Sequence, residues 1–357
     1  MGGSIERFQL LLLITFLVQY PISAIIQISQ SIAGGIRTLP RGPQWHSTTI
    51  DFKGYKTTHP IWLIWQDALE VVKDLFSNPI FTNHMTYDPH MVFQGPEQEY
   101  SKFFTATHTF DIQVSVSWMY PLALSFIFII AQVQLPEGAT NIPIIIASDK
   151  IPMMRHTGGL EMHPVFVTIG NIQSDLRMQV TSYAWCCVSF IPIPNFKVHH
   201  NFETILKSRL FHQCMDIIFD SLKTVAEQGA YLTDPTGRTQ HCFTLLISYV
   251  TDLPKQQPVS CVAKNTSPLT TAQLSEFGDD VSHNPRTSMY TLQQIFELCK
   301  RIDPWDIIPF QKAAKAKKLF GIHQPFWRDW RFADPAHFLT GEILHTCHKF
   351  FFDHVFK

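Results

Sequence analysis

The sequence predicts an α/β fold in which three strands, one long helix and a fourth strand follow one another between residues 141 and 251. Three observations carry this expectation. Residues 141–148 (NIPIIIAS) form a short, unbroken apolar run, the pattern of a strand buried on both faces. Between residues 201 and 228 the apolar side chains Phe202, Ile205, Leu206, Leu210, Met215, Ile218, Leu222 and Val225 recur at helical spacing, so one face of a helix packs on a sheet. The run 242–251 (CFTLLISYVT) is again apolar and, like the first, ends at an aspartate.

The elements follow in order. Residues 161–170 (EMHPVFVTIG) and 184–193 (AWCCVSFIPI) read as the second and third strands. Asn201 is placed to N-cap the helix, with Glu203 in its first turn and Gly229 as its stop. Asp234-Pro-Thr-Gly237 has the residue preferences of a type I turn before the last strand. Around this core, at residues 133–255, residues 41–113 are expected to form a helical N-terminal region and residues 256–357 a helical insertion.

With 28 basic and 29 acidic side chains the net charge is −1, so a chain-wide electrostatic case for nucleic-acid binding fails and any basic surface must be local. The seven cysteines are scattered and form no CxxC pair, which argues against a disulfide framework or zinc finger. His345, Cys347, His348 and His354 crowd ten residues, but without a second cluster they read as buried structural side chains and not a zinc site. His199 and His200 read as solvated, and His163 has no deducible role.

Asp149 and Asp252 each close a strand that is otherwise nearly pure hydrocarbon. On neighbouring strands their carboxylates meet at one sheet edge, where they can share divalent cations roughly 3.5–4 Å apart for phosphoryl transfer. That is the ribonuclease H-like arrangement. The alternative is that both aspartates only terminate strands and cap loops.

A basic segment survives the neutral balance. Residues 299–331 hold Lys300, Arg301, Lys312, Lys315, Lys317, Lys318, Arg328 and Arg331 against three aspartates, with Trp305, Phe326, Trp327 and Trp330 interleaved. This reads equally as a phosphate-contacting DNA surface with stacking aromatics, carried by Lys312, Lys315, Lys317, Lys318, Arg328 and Arg331, or as a solvated helix face around an aromatic mini-core.

Two apolar stretches, 9–28 and 114–132, are long enough to be read as a signal segment or membrane spans. Residues 1–40 are accordingly signal-like or a mis-called start, and 114–132 an apolar insertion. A buried helix is the alternative for either stretch.

Ordered motifs add a family resemblance. Arg41-Gly-Pro-Gln-Trp-His46, residues 74–95, Leu135-Pro-Glu-Gly-Ala-Thr140, Ile146-Ala-Ser-Asp-Lys150 and Gly158-Gly-Leu-Glu-Met-His-Pro164 resemble the Plavaka family of fungal transposases, relatives of the CACTA cut-and-paste elements. Gly170-Asn-Ile-Gln-Ser-Asp175, Asp234-Pro-Thr-Gly237, Asn265-Thr-Ser-Pro268, Pro325-Phe-Trp-Arg-Asp-Trp330 and the segment 342–354 continue the series. The resemblance implies a ribonuclease H-like core with an Asp, Asp, Asp/Glu triad that holds Mg²⁺ or Mn²⁺. Asp149 matches the first acid and Asp252 the second. The third acid of such enzymes follows a long helical insertion, and the chain stops at Lys357 before reaching it, so an incomplete and inactive copy is expected. Glu342 and Asp353 read as part of the insertion. Cys261 stands alone where relatives carry a cysteine pair, so no zinc site is expected. Residues 114–132 have no counterpart in the family and read as a translated intron. The expected partners are DNA at transposon ends and a second copy of the chain, in the nucleus. The rival readings are a non-catalytic DNA-binding remnant, and a membrane protein if both apolar stretches are true spans.

Overall fold

The computed structural model describes residues 42–113, 135–152, 161–277 and 279–339. Within them a seven-stranded mixed sheet is built around β5 (Thr140–Ser148), all nine residues of which are buried. β5 carries isoleucine on both faces. Ile142, Ile144 and Ile146 enter the main core, while Ile145 and Ala147 pack on the opposite face with Phe166, Trp185 and Cys187.

The second expected strand divides at His163 into a two-residue β7 (Glu161–Met162), paired with the equally short β6 (Ile151–Pro152), and β8 (Pro164–Ile169), which runs antiparallel to β5. The third is β9 (Cys186–Phe190), antiparallel to β8 and reached through the short α3 (Ser174–Arg177). The long helix, α4 (His200–Gln228), begins two residues earlier than an N-cap at Asn201 predicts, so Asn201 lies within it. It ends at Gly229, whose φ of +73° is left-handed, and a Cβ there would collide with the His241 ring. Then β10 (Ala230–Thr233) and β11 (Thr239–Val250) form an antiparallel hairpin. The Asp234 carboxylate ties its turn by accepting from the Thr236 and Arg238 amides at 2.9 and 3.0 Å. β11 lies parallel to β5, the one parallel pairing among the described strands of this sheet.

The N-terminal region corrects the expectation of a helical segment. β1 (Trp45–Ile50) and β2 (Ile61–Gln66) pair with each other and extend the sheet beyond β9, giving the order β1-β2-β9-β8-β5-β11-β10. Their β-branched and aromatic side chains suit a pleated, half-buried surface. Only α1 (Ala68–Ser77), the short α2 (Thr107–Gln113) and 3₁₀ turns are helical here, beside a small hairpin of β3 (Val92–Gln94) and β4 (Glu97–Glu99). α1 is capped by Asp67, which accepts from the Leu69 amide at 2.8 Å and from Ser221 Oγ of α4 at 2.7 Å.

After β11 the chain forms α5 (Leu253–Val259), α6 (Ser288–Arg301), α7 (Ile307–Ala316) and the short α8 (Pro335–Phe338), linked by irregular segments. These pack into the same core as the sheet, which runs from Ile50 to Leu339. Arg209 of α4 stitches them down. It is 4% exposed, and its guanidinium donates to the Gly321 carbonyl at 2.8 and 3.0 Å and to that of Pro304 at 2.7 Å.

Among the described residues no helix is long and apolar enough to cross a membrane. The stretches 9–28 and 114–132, the 342–354 motif and its histidines lie outside the described residues.

Candidate metal centre at the ends of two parallel strands

The register of β5 and β11 pairs Ala147 with Val250. Two residues further along each strand come Asp149 and Asp252, so the chain leaves the same edge of the sheet at both acids. The two strands are joined just before the acids by a short hydrogen bond between Ser148 Oγ, one position before Asp149, and Tyr249 Oη, three positions before Asp252. Asp149 accepts from the Lys150 amide at 2.7 Å and its side chain is 45% exposed. Asp252 sits at the N-cap of α5, a turn that carries Lys255 back toward β5.

Lys255 is the residue that sequence reasoning missed. Its Nζ donates to the Ser148 carbonyl at 2.9 Å and to His163 Nε2 at 2.7 Å, and it lies 4.0 Å from Asp149 Oδ1. Burial pulls the Lys255 amine down to about 8, against the opposing charges of Asp149 and Asp252. Because Nε2 of His163 accepts from an ammonium, the ring carries its proton on Nδ1. His163 stacks on Phe211, with ring centroids 5.7 Å apart, and burial followed by the Lys255 charge holds it well below the ordinary imidazole range. The signal available in the sequence was the spacing Asp252-Leu-Pro-Lys255, which puts a cation one helical turn past the acid. Among the described residues no group of three or more His, Cys, Asp or Glu side chains is arranged to hold a metal ion.

The basic segment separates into two kinds of residue. Lys312 and Lys315 on α7, and Lys318 just beyond it, are exposed. Lys317 pairs with Glu297 at 3.0 Å. Arg328 Nη2 lies 2.9 Å from Asp216 Oδ2 and 3.3 Å from Asp329 Oδ2, and the buried Lys223 also binds both aspartates. Arg331 lies over the Phe332 ring at 4.8 Å. Three of the four interleaved aromatics are core residues, which corrects the idea of stacking platforms there. Phe326, Trp327 and Trp330 are buried, and the two indoles donate to the carbonyls of Val259 at 2.8 Å and Thr244 at 3.1 Å. The six cysteines among the described residues are free thiols.

A sheet with two acids at neighbouring strand ends thus meets the motifs of the sequence, and the class they define is a transposase-derived protein. The chain belongs to the Plavaka transposase family, whose sequence profile matches residues 29–357. No curated protein matches it.

Proposed function

We propose that this chain carries the sheet edge of a metal-dependent centre for DNA strand cleavage and strand transfer, set in a ribonuclease H-like core of β5, β8, β9, α4 and β11. The observation that carries this reading is the parallel pairing of β5 with β11, which brings Asp149 and Asp252 to neighbouring strand ends. The order β9-β8-β5-β11 supports the fold assignment: β5, β8 and β9 form an antiparallel meander, and a helical crossover leads back to a strand parallel to β5. Carboxylate oxygens are hard donors that fit Mg²⁺ or Mn²⁺. Such an ion, when bound, supplies Lewis acidity and an activated water. Asp149 and Asp252 would hold it, with the Ser148–Tyr249 hydrogen bond joining the two strands just below them. DNA at transposon ends is the partner, and the nucleus the compartment, that family membership supports.

Among the described residues no third acidic side chain is grouped with these two, and two carboxylates bind a metal pair less well than three, so these 357 residues are expected to bind Mn²⁺ without cutting DNA. Calorimetric titration with MnCl₂ should show binding that Asp149→Asn and Asp252→Asn each weaken; equal affinity in all three proteins would remove the site assignment. Metal-dependent cleavage that vanishes in Asp149→Ala would instead show a working nuclease and remove only the expectation of inactivity.

The exposed lysines favour DNA contact even without cleavage. Changing Lys312, Lys315 and Lys318 together to alanine is expected to lower the slope of log affinity against log salt by about 3, one unit per phosphate contact. Fluorescence anisotropy of a duplex oligonucleotide across a salt series measures this, and an unchanged slope rules these lysines out as the contact surface.

A further inference from the structure

We propose that the Lys255 ammonium is the built-in counter-cation of the Asp149–Asp252 pair, and that a divalent ion enters this position only by displacing it. The inference rests on the metal-site reading above. Two carboxylates at adjacent strand ends repel each other unless a cation stands near both. Lys255 is held where such a cation belongs. Its Nζ is anchored from one side by the Ser148 carbonyl and from another by His163 Nε2, and Asp149 Oδ1 lies 4.0 Å away. Asp252 stands three residues before it, at the N-cap of the same helix. Its head lies 5.8 Å from the centre of the Phe211 ring, and the side chain is only 18% exposed, so the ammonium is seated and not merely passing.

The seat is built from three separate elements. Ser148 ends β5, His163 precedes β8, and Lys255 stands in the first turn of α5. Their convergence on one side of the acid pair makes this more than a surface ion pair of the kind that contributes little. A divalent ion between the same carboxylates meets a positive charge within a few ångströms, and like charges at that range in a half-buried site repel strongly. The four-carbon stem of lysine lets the ammonium swing away, but only by releasing the Ser148 carbonyl and the His163 ring. Metal affinity is therefore set against two hydrogen bonds and one ion pair that the metal-free protein already has.

The test uses the full chain and Mn²⁺ alone. Lys255→Met keeps the stem and removes the charge, and it is expected to tighten Mn²⁺ binding about tenfold in calorimetry or in electron paramagnetic resonance of free Mn²⁺. Lys255→Gln, which retains hydrogen-bonding capacity toward Ser148 and His163, should tighten it as well and serves if the methionine variant does not fold. In EDTA, the thermal midpoint should fall less when Lys255→Met is made in the Asp149→Asn background than in the wild type, because the countercharge has lost its partner. Equal or weaker Mn²⁺ affinity in both lysine variants overturns the proposal and leaves the acid pair as a metal site. If neither the wild type nor the variants bind Mn²⁺ at millimolar concentrations, the metal-site reading itself fails and this inference falls with it.

Discussion

Replacing Trp330 by alanine is expected to destabilise the protein by about 3–5 kcal/mol, the range for deleting a fully buried large aromatic. Trp330 is 3% exposed, lies 5.7 Å from the Phe219 ring of α4, and donates its indole N–H to the Thr244 carbonyl on β11. Truncation opens a cavity between helix and sheet and strips that carbonyl of its donor. Urea unfolding at constant m-value measures the loss. A shift below about 1 kcal/mol would mean that the site collapses onto the gap or that the aromatic is not core. Lys312→Ala, on the exposed face of α7, should by contrast stay within about 0.5 kcal/mol of the wild type.

Acidification from pH 7 to pH 5 is expected to remove about 2 kcal/mol of stability through His212 alone. This side chain of α4 is 1% exposed. Its Nδ1 accepts from the Phe326 amide at 3.1 Å, and its Nε2 lies 3.0 Å from the Pro258 carbonyl, to which it donates. The neutral ring thus satisfies both partners. A second proton would sit on Nδ1, facing the Phe326 N–H. Burial pulls the folded-state value down to about 4 despite the Pro258 carbonyl, which favours the charged form. The folded value lies below the unfolded one, so on acidification the unfolded chain takes up its proton first. Stability is complete above about pH 6.5 and is lost progressively as pH falls toward 4. His323, pulled down to about 3 mainly by burial, acts in the same direction. His212→Gln should flatten the pH 7 to pH 5 difference by about 2 kcal/mol relative to its own value at pH 7; an unchanged difference would place the proton uptake elsewhere.

The centre of the sheet was legible because burial on both faces leaves an unmistakable trace in β5 and β11, and because glycine and the Asp-Pro-Thr-Gly turn mark where α4 and β10 end. The acids were legible for a related reason: a charge directly after a hydrocarbon strand has few places to go but the sheet edge. β1 and β2 were missed although Ile-Trp-Leu-Ile-Trp-Gln is rich in strand-forming side chains. β2 meets β9 through Ile64 and Phe190, far apart in the chain, and nothing local announces that pairing. Lys255 escaped for the same reason, since its partners Ser148 and His163 are 107 and 92 positions away. The aromatics of 326–330 were ambiguous because spacing alone does not say which neighbour a side chain will meet, and the ion network that joins Arg328 and the buried Lys223 to Asp216 and Asp329 shows how much of that segment's charge is paired within the chain.

The parallel union of β5 with β11 also sets a timetable for synthesis. β8 emerges soon after β5 and covers one of its edges, but β11 begins about 90 residues after β5 ends. At roughly 5–20 residues per second, a strand made almost wholly of hydrocarbon waits on the order of 5–20 s on the ribosome with its other edge unpaired. That edge is a template for pairing with any neighbouring nascent chain. Until the long helix and the hairpin behind it have been made, the strand at the centre of the finished sheet has no segment of its own chain to pair with on that side.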